Sequence, residues 1–367
     1  MTAHPHLEEA LEEARKGSGL TSPNPMVGAV LVKDGVVVGR GHHTWEGKRH
    51  AEIVALGEAG EQARGATLYI NLEPCCHAGR TGPCTQALIQ AGVARVVAAM
   101  EDPNPLVAGL GFAQLRQAGI AVEIDPQSTA AAEALNQPFV HFMRTGRPLV
   151  TLKSALTLDG KIAAPEDNRG WITSERARAH VQRLRHTTDA IVTGIGTLLA
   201  DDCLLSDRSR LPRHRPLLRV VLDSQLRIPL HSRMVESCQD DVLVVTTSAA
   251  SPERRRALEE RGVRVGVFDG AYGRTDFGLL VKHLAADKYL SLMIEAGSKV
   301  NWAALESGYV DKIFFYYAPK ILGGMQSLPV AGGAGRLRRS DALQFERVSL
   351  HKIPPDEYAV EAWLVKT

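Results

Sequence analysis

This chain of 367 residues is poor in several things that would assign it to a class at once. It has five cysteines, too few and too scattered for a disulfide framework, which excludes a small cross-linked secreted scaffold and suits a reducing compartment. Aromatic residues make up only 5%, and no dense Lys/Arg stripe is interleaved with them, so a stacking surface for single-stranded nucleic acid is not expected. No apolar run approaches about 18 residues, and residues 7–16 are amphipathic and glutamate-rich rather than the apolar core of a signal peptide. The expectation is a cytoplasmic protein with neither nucleic acid nor a membrane as partner. Net charge is small, +2, but unevenly divided: residues 1–145 carry 11 Lys and Arg against 15 Asp and Glu, and the remainder 32 against 26. A basic second half suits an anionic small molecule. Gly-x-Gly-x-x-Gly after a strand is also missing, which disfavours an ordinary Rossmann site.

What is present is enough apolar material, 44%, for packed cores, in a chain long enough for two domains at about 150 residues each. Residues 7–16 read as a helix, and 26–32 with 36–40 as two strands about the Lys33-Asp34-Gly35 turn. Helical patterns at 51–60, 85–91 and 112–118 alternate with strand patterns at 67–72, 95–100 and 120–124, which implies an α/β domain with a largely parallel sheet. The polar Arg144-Thr145-Gly146-Arg147-Pro148 segment marks a boundary, dividing the chain into 1–145 and 147–367. A second α/β pattern follows: strands at 149–154, 190–192, 219–223, 242–246, 290–295, 314–318 and 360–366, and an amphipathic helix at 173–186.

The strongest chemical signal is His50-Ala51-Glu52, then Pro74-Cys75, then Cys84. These supply three soft zinc ligands and one carboxylate held out of the ligand set. A zinc ion with three protein ligands keeps a fourth position for water and lowers the pKa of that water from about 15.7 to about 7. His-x-Glu ahead of Pro-Cys and a further cysteine is the pattern of zinc deaminases, with the glutamate moving the proton. An alternative stays open, in which Cys76 or His77 closes the tetrahedron and the zinc only stabilises a loop. In the second half, Thr193-Gly194-Ile195-Gly196-Thr197 and Ile294-Glu295-Ala296-Gly297-Ser298 are small-residue turns from strand into helix, each able to present backbone N–H groups to a phosphate.

Pro23-Asn24-Pro25-Met26-Val27-Gly28, His50-Ala51-Glu52, Glu73-Pro74-Cys75-Cys76-His77-Ala78-Gly79-Arg80-Thr81-Gly82-Pro83-Cys84 and Asp102-Pro103-Asn104-Pro105 together resemble the bifunctional deaminase/reductase of bacterial riboflavin biosynthesis. Lys153-Ser154-Ala155-Leu156-Thr157-Leu158-Asp159-Gly160, Trp171-Ile172-Thr173-Ser174, Gly196 through Asp202, Asp223-Ser224, Glu295-Ala296-Gly297 and Ala318 through Gly324 resemble the reductase half of that family, so the likeness spans nearly the whole chain. Cys76 stands where the family usually has Ser, Gly82 where it has Pro, and Cys203 where it has Pro.

The resemblance implies an N-terminal cytidine-deaminase-like α/β/α domain followed by a dihydrofolate-reductase-like α/β domain. It implies deamination of a diaminopyrimidine ribosyl 5′-phosphate, then reduction of the opened ribosyl group by hydride at C1′ to a ribityl chain. One zinc would sit on His50, Cys75 and Cys84, with Glu52 the proton shuttle and Asn24 and His77 near the pyrimidine. A plain turn residue remains the other reading of Asn24, and His42 and His43 read as solvated or structural. NADPH would be contacted by Ala155, Trp171, Thr197, Asp201 and Ser224, and its phosphates held by the run Gly297, Ser298, Lys299, Val300, Asn301, Trp302 and Ala303. Arg169, Arg185, Leu205, Arg208 and Glu295 would hold the ribosylamino substrate, and Asp201 is the expected acid. Taken alone, Arg185 on its amphipathic helix reads as a solvated residue rather than a substrate contact. The family also implies a homo-oligomer, dimer or tetramer. Two rival readings are a nucleic-acid or nucleotide zinc deaminase with an appended binding domain, marked by steep salt dependence, and a non-catalytic zinc scaffold, for which Glu52→Gln changes nothing.

Overall fold

The structure is a computed structural model that describes residues 4–45, 49–76, 82–166, 168 and 170–366. His77 and Arg169, both expected at sites, lie outside the described residues. The chain divides into two compact units, Met1–Arg147 with Pro212–Arg215, and Pro148–Leu211 with Pro216–Thr367; the division expected from sequence gave that tetrapeptide to the second half. No helix among the described residues is long and apolar enough to cross a membrane.

The first unit runs α1 (Pro5–Arg15), β1 (Gly28–Lys33), β2 (Val36–His42), α2 (Ala51–Ala59), β3 (Thr67–Ile70), α3 (Cys84–Ala91), β4 (Arg95–Ala98), α4 (Leu110–Gln117), β5 (Ala121–Ile124), α5 (Pro126–Leu135) and α6 (Gln137–Thr145). Its sheet has the order β2-β1-β3-β4-β5. The hairpin turns on Asp34 and Gly35, both at positive φ, which matches the right-handed twist of the flanking strands. Two of the four pairings are antiparallel, because β1 lies between β2 and β3 and opposes both; only β3, β4 and β5 form the parallel ladder expected from the alternating pattern. Ala29, Leu31, Leu68, Ile70, Val96 and Ala98 pack against alanines of α2, Leu88 of α3 and Phe112 and Leu115 of α4. Gly28, which alternates with Ala29, faces α1 instead, where a Cβ would run into its backbone. The unit is therefore an α/β/α sandwich.

The second unit runs β6 (Leu149–Thr157), β7 (Lys161–Ala163), α7 (Glu175–His186), β8 (Ala190–Gly194), α8 (Ile195–Asp201), β9 (Leu218–Leu222), α9 (Arg233–Glu236), β10 (Val242–Thr246), α10 (Pro252–Glu259), β11 (Arg264–Val267), α11 (Phe277–Ala286), β12 (Ser291–Ile294), α12 (Ser298–Glu306), β13 (Lys312–Ala318), β14 (Leu328–Pro329), β15 (Phe345–Ile353) and β16 (Glu357–Leu364). Its nine-stranded sheet has the order β11-β10-β9-β8-β12-β6-β13-β16-β15, parallel as far as β13 and antiparallel over the last two strands; β7 and β14 form a separate ribbon. The parallel strands β8, β10 and β12 are buried along their whole length, as strands covered on both faces must be. One face carries α11 and α12 and the other α8, α9 and α10. Strand β12 enters between β8 and β6, so the chain leaves β8 toward one face through α8 and leaves β12 toward the other through α12. That reversal opens a crevice at the carboxyl ends of the strands, the place where open α/β sheets bind ligands.

Candidate active sites

In the first unit the sheet order decides where the chemistry gathers. Since β1 opposes both β2 and β3, the carboxyl ends of β2, β3 and β4 share an edge with the amino end of β1. His43 follows β2, Cys75 follows β3, and Asn24 precedes β1 at that edge. His50 is the N-cap of α2 and Cys84 opens α3, so two helix amino termini, with their positive ends, point the same way. The first turn of α2 can lie on β2 because position 41 is glycine: a Cβ there would overlap the Ala51 carbonyl oxygen.

The His50 Nδ1, Cys75 Sγ and Cys84 Sγ atoms lie within 4.8 Å of one another. Nδ1 is 3.2 Å from Cys84 Sγ and 3.4 Å from Cys75 Sγ. Tetrahedral zinc with thiolate and imidazole ligands has ligand–ligand edges of about 3.5–3.8 Å, so this donor set fits the ion with little rearrangement. The backbone N–H of Cys84 donates to Cys75 Sγ at 3.4 Å, and the N–H of Thr85 donates to the Cys75 carbonyl at 3.2 Å, tying the two cysteine segments together. A hydrogen bond from the Cys84 thiol pulls Cys75 down to about 4, and the same sharing of one proton holds Cys84 up. Such a thiolate is already the form that a metal takes.

Glu52 is buried, 3% exposed, two residues from His50 in the first turn of α2 and outside the trio of donors. Burial pushes its carboxyl up to about 7, and the Cys75 thiolate adds to the push. A bound dication would act in the opposite sense and favour the carboxylate. His43, read from sequence as structural or solvated, is buried and 5.4 Å from the His50 ring, centroid to centroid. Burial lowers its pKa and keeps it neutral. Its Nδ1–H donates to the Arg49 carbonyl at 2.9 Å, so Nε2 must be the acceptor for Asn24 Nδ2 at 3.0 Å. That fixes the Asn24 carboxamide with Oδ1 left as an acceptor.

Sequence reasoning quoted Glu73 without giving it a task. The structure buries its carboxylate to 3% exposure on three backbone N–H groups, those of Asp102 (3.1 Å), Gly109 (2.9 Å) and Phe112 (3.1 Å). Glu73 thus anchors the Pro74-Cys75 segment to the start of α4, where the helix dipole favours an anion. Its position directly before Pro-Cys was the available signal.

In the second unit the structure gathers Arg185, Leu205 and Glu295. Arg185 is not on a solvated face: it is 7% exposed and grips Glu295 with two bonds of 2.8 and 3.0 Å, its third going to the Ser206 carbonyl at 3.0 Å. Lys153 Nζ completes the pairing with Glu295 at 3.1 Å. Burial would raise the Glu295 carboxyl, but the Lys153 and Arg185 charges outweigh it and hold it at about 2. Leu205 sits at φ +50, a left-handed conformation rare for a leucine, with the Leu204 carbonyl taken by Arg219 and the Ser206 carbonyl by Arg185. Arg208 stays exposed while its N–H donates to Gln182; burial and the Arg185 charge both disfavour its own charge. Three cations about one carboxylate leave room for an anion.

The expected NADPH residues line the carboxyl edge: Ala155 in β6, Thr197 on the first turn of α8, Ser224 after β9 and Gly297 at the N-cap of α12. Thr197 and Asp201 lie four apart on α8 and share a face, although Asp201 ends that helix exposed, its carboxyl raised by what burial it has. Val300 packs onto Gly194, and Thr197 Oγ1 is 3.5 Å from where a Gly297 Cβ would be, so the two helix starts stand side by side. Ser298 is buried with a hydroxyl that has no partner. The far end of the expected phosphate run is different: the Asn301 N–H is already bonded to the Gly297 carbonyl, Trp302 beside it is half-buried, and Ala303 is exposed. Trp171 is 65% exposed under the Arg178 guanidinium, 4.9 Å from its ring centre.

Comparison with known proteins bears on both units. Residues 148–357 match the family model described as RibD C-terminal domain, and residues 2–100 that described as cytidine and deoxycytidylate deaminase zinc-binding region. The chain is 41% identical over 356 residues to the riboflavin biosynthesis protein RibD of Actinobacillus pleuropneumoniae, covering 97% of this chain and 94% of that one. It is 42% identical over 367 residues to the Escherichia coli (strain K12) protein of the same name, with 96% of each chain covered. Among solved structures, Acinetobacter baumannii RibD superposes with a TM-score of 0.87 at 36% identity over 98% of both chains. A Thermotoga maritima diaminohydroxyphosphoribosylaminopyrimidine deaminase/5-amino-6-(5-phosphoribosylamino)uracil reductase gives 0.82 at 33% identity, over 98% of this chain and 97% of that one.

Proposed function

Because this chain belongs to the RibD family, and so is a bifunctional deaminase and reductase of riboflavin biosynthesis that uses zinc and NADPH, we propose that each of the two clusters above is one of its active centres. The deaminase belongs to residues 1–145 and the reductase to 147–367. The first reaction releases ammonia from the phosphorylated diaminopyrimidine after which the Thermotoga relative is named, and the second reduces its ribosyl group.

His50, Cys75 and Cys84 hold the zinc, which when bound supplies the Lewis acidity that makes water nucleophilic near neutral pH. Glu52 takes up a proton on its carboxylate and passes it to the departing exocyclic nitrogen. Asn24 presents Oδ1 to N–H groups of the pyrimidine, because its amide nitrogen is committed to His43. The single observation that carries the reading is a buried carboxyl two residues from His50 and excluded from a trio of donors spaced for zinc.

In the reductase, NADPH supplies the hydride. Thr197, Ser224 and the Gly297–Ser298–Lys299–Val300 turn hold the dinucleotide across the crevice, the unpartnered Ser298 hydroxyl and the free first N–H groups of α12 facing its phosphates. Lys153 and Arg185 fix Glu295 as a carboxylate against the ribosylamino group, and Arg208 meets the 5′-phosphate with its guanidinium fork. The proposed compartment is the cytoplasm, supported by five cysteines that are all free thiols. A homo-oligomer, dimer or tetramer, is supported by the edge strand β15, which leaves Val348 and Leu350 exposed.

The test follows ammonia release and NADPH oxidation in parallel on the diaminopyrimidine ribosyl phosphate, for wild type, Glu52→Gln and Arg185→Leu. Ammonia lost only in Glu52→Gln, and NADPH oxidation of the deaminated compound lost only in Arg185→Leu, is the expected pattern. Loss of both activities in either variant contradicts the division.

A further inference from the structure

Asn136 stands where α5 gives way to α6 and occupies the N-cap position of α6. Asparagine is among the preferred N-cap residues, because its side chain can bind the free N–H groups of the first helical turn. Asn136 makes no such bond. It is 3% exposed, and both ends of its carboxamide are turned to one residue 110 positions away: Oδ1 accepts from the Met26 N–H at 2.8 Å, and Nδ2 donates to the Met26 carbonyl at 2.9 Å. Asn71, fully buried in the loop after β3, supplies a second donor to the same carbonyl at 3.0 Å and accepts from the Gly28 N–H at 2.8 Å. Residue 26 lies just ahead of β1 and outside every ladder. Two side-chain amides therefore take the place of a neighbouring strand, and they saturate both lone pairs of one carbonyl.

This matters because Met26 is two residues from Asn24, across Pro25, whose ring fixes its own φ. Position 24 has little freedom once 26 is held. Asn24 in turn sets its amide against His43, whose ring stands beside the metal ligand His50. We propose that Asn136 is a positioning residue of the deaminase centre: by clamping the Met26 backbone it fixes Asn24 on His43, with the Asn24 Oδ1 turned to the pyrimidine. The zinc-binding region matched by the deaminase family model ends at residue 100, so the clamp comes from helices beyond it. The inference rests on the assignment of Asn24 to the substrate, and it gives the α5–α6 corner a part in the chemistry.

The test is a double-mutant cycle in the full-length, zinc-loaded protein, comparing Asn24→Ala, Asn136→Ala and the pair. Asn136→Ala is expected to raise the KM of the deaminase for its pyrimidine about tenfold, the scale of one lost hydrogen bond, with kcat changed less. Zinc stoichiometry and the reductase rate on the deaminated compound stay as in wild type. In the Asn24→Ala background the same substitution adds nothing, since its effect has already been removed. In nitrogen-15 spectra the ring nitrogens of His43 shift in Asn136→Ala toward their positions in Asn24→Ala. Additive KM effects, or an unmoved His43 resonance in Asn136→Ala, overturn the proposal. A normal KM in Asn24→Ala overturns the substrate assignment instead, and the His43 shift then still decides whether Asn136 positions Asn24. If Asn136→Ala does not fold, Asn136→Asp, which keeps the acceptor and loses the donor, serves in the same cycle.

Discussion

Gly111 lies so close to Pro74 that a Cβ at position 111 would overlap the Pro74 carbonyl oxygen. Pro74 carries the next residue, Cys75, into the His50–Cys75–Cys84 trio, so the first turn of α4 acts as a template for a proposed zinc ligand. Gly111→Ala must push the helix or the ligand segment aside, and neighbouring Glu73 cannot yield without releasing its three backbone bonds. Zinc affinity, read by competition with a chromophoric chelator, is expected to fall about 10- to 100-fold, the scale seen when support behind a metal ligand is lost. The reductase rate of the same variant should match wild type; unchanged zinc affinity contradicts the template role.

Glu52→Gln keeps the shape of the buried side chain and removes its proton chemistry. The deaminase kcat should drop by about 10²- to 10⁴-fold, the usual share of a positioned acid–base group. Zinc content should stay at one per chain. A rate within a factor of three of wild type would falsify the shuttle role and revive a purely structural zinc.

Cys76 is the nearest rival thiolate. It is half-buried, its thiol is pushed up by burial, and it stands outside the trio whose donor atoms converge. Metal analysis of Cys76→Ser should therefore return one zinc per chain and normal ammonia release. Cys75→Ser and Cys84→Ser should come out of purification largely metal-free. Zinc lost from Cys76→Ser would mean a closed four-ligand site.

Acid should weaken the reductase unit through Glu295. Its carboxyl titrates at about 2 in the folded chain, against about 4.3 when unfolded. A depressed folded pKa contributes stability that is present above pH 4.3 and is lost as the pH falls from there through 2. The full effect is on the order of 3 kcal/mol. Urea unfolding of the second unit, followed by the fluorescence of Trp171, Trp302 and Trp363, should show wild type losing its advantage over Glu295→Gln between pH 5 and pH 2.5. Parallel pH profiles for the two proteins would contradict the ion-pair account.

The convergence of His50, Cys75 and Cys84 was legible in sequence because histidine and cysteine have few other reasons to recur at that spacing, and because Gly92 and the Asp34-Gly35 turn punctuate the elements around them. Helices α5 and α6 were not seen: Pro126 opens the first and Pro138 follows the Asn136 break, so the sequence reads as interrupted where the chain only turns a corner. With them went Asn136, whose partner is 110 residues away and leaves no local trace. Strand β15 was hidden for another reason. It is an edge strand exposed along most of its length, so the apolar alternation that reveals a half-buried strand is absent. Arg185 shows the limit of local reading: a helical arginine reads as solvated until a carboxylate just past β12, 110 positions on, is folded against it.

The strand order of the second sheet has a consequence for how this chain is made. Strand β6 is the first of its unit to leave the ribosome, yet both of its ladder partners, β12 and β13, come late, beginning at Ser291 and Lys312. Residues 158–290 must be synthesised before either arrives, roughly 7–27 s at bacterial elongation rates. The first unit meets no such delay, since each strand pairs with one made shortly before it. Through that interval Leu149, Val150, Leu152 and Leu156, all buried in the finished sheet, lack both of the strands that flank them in it. Translation thus completes the five-stranded sheet of the first unit while the opening strand of the second still waits for its neighbours.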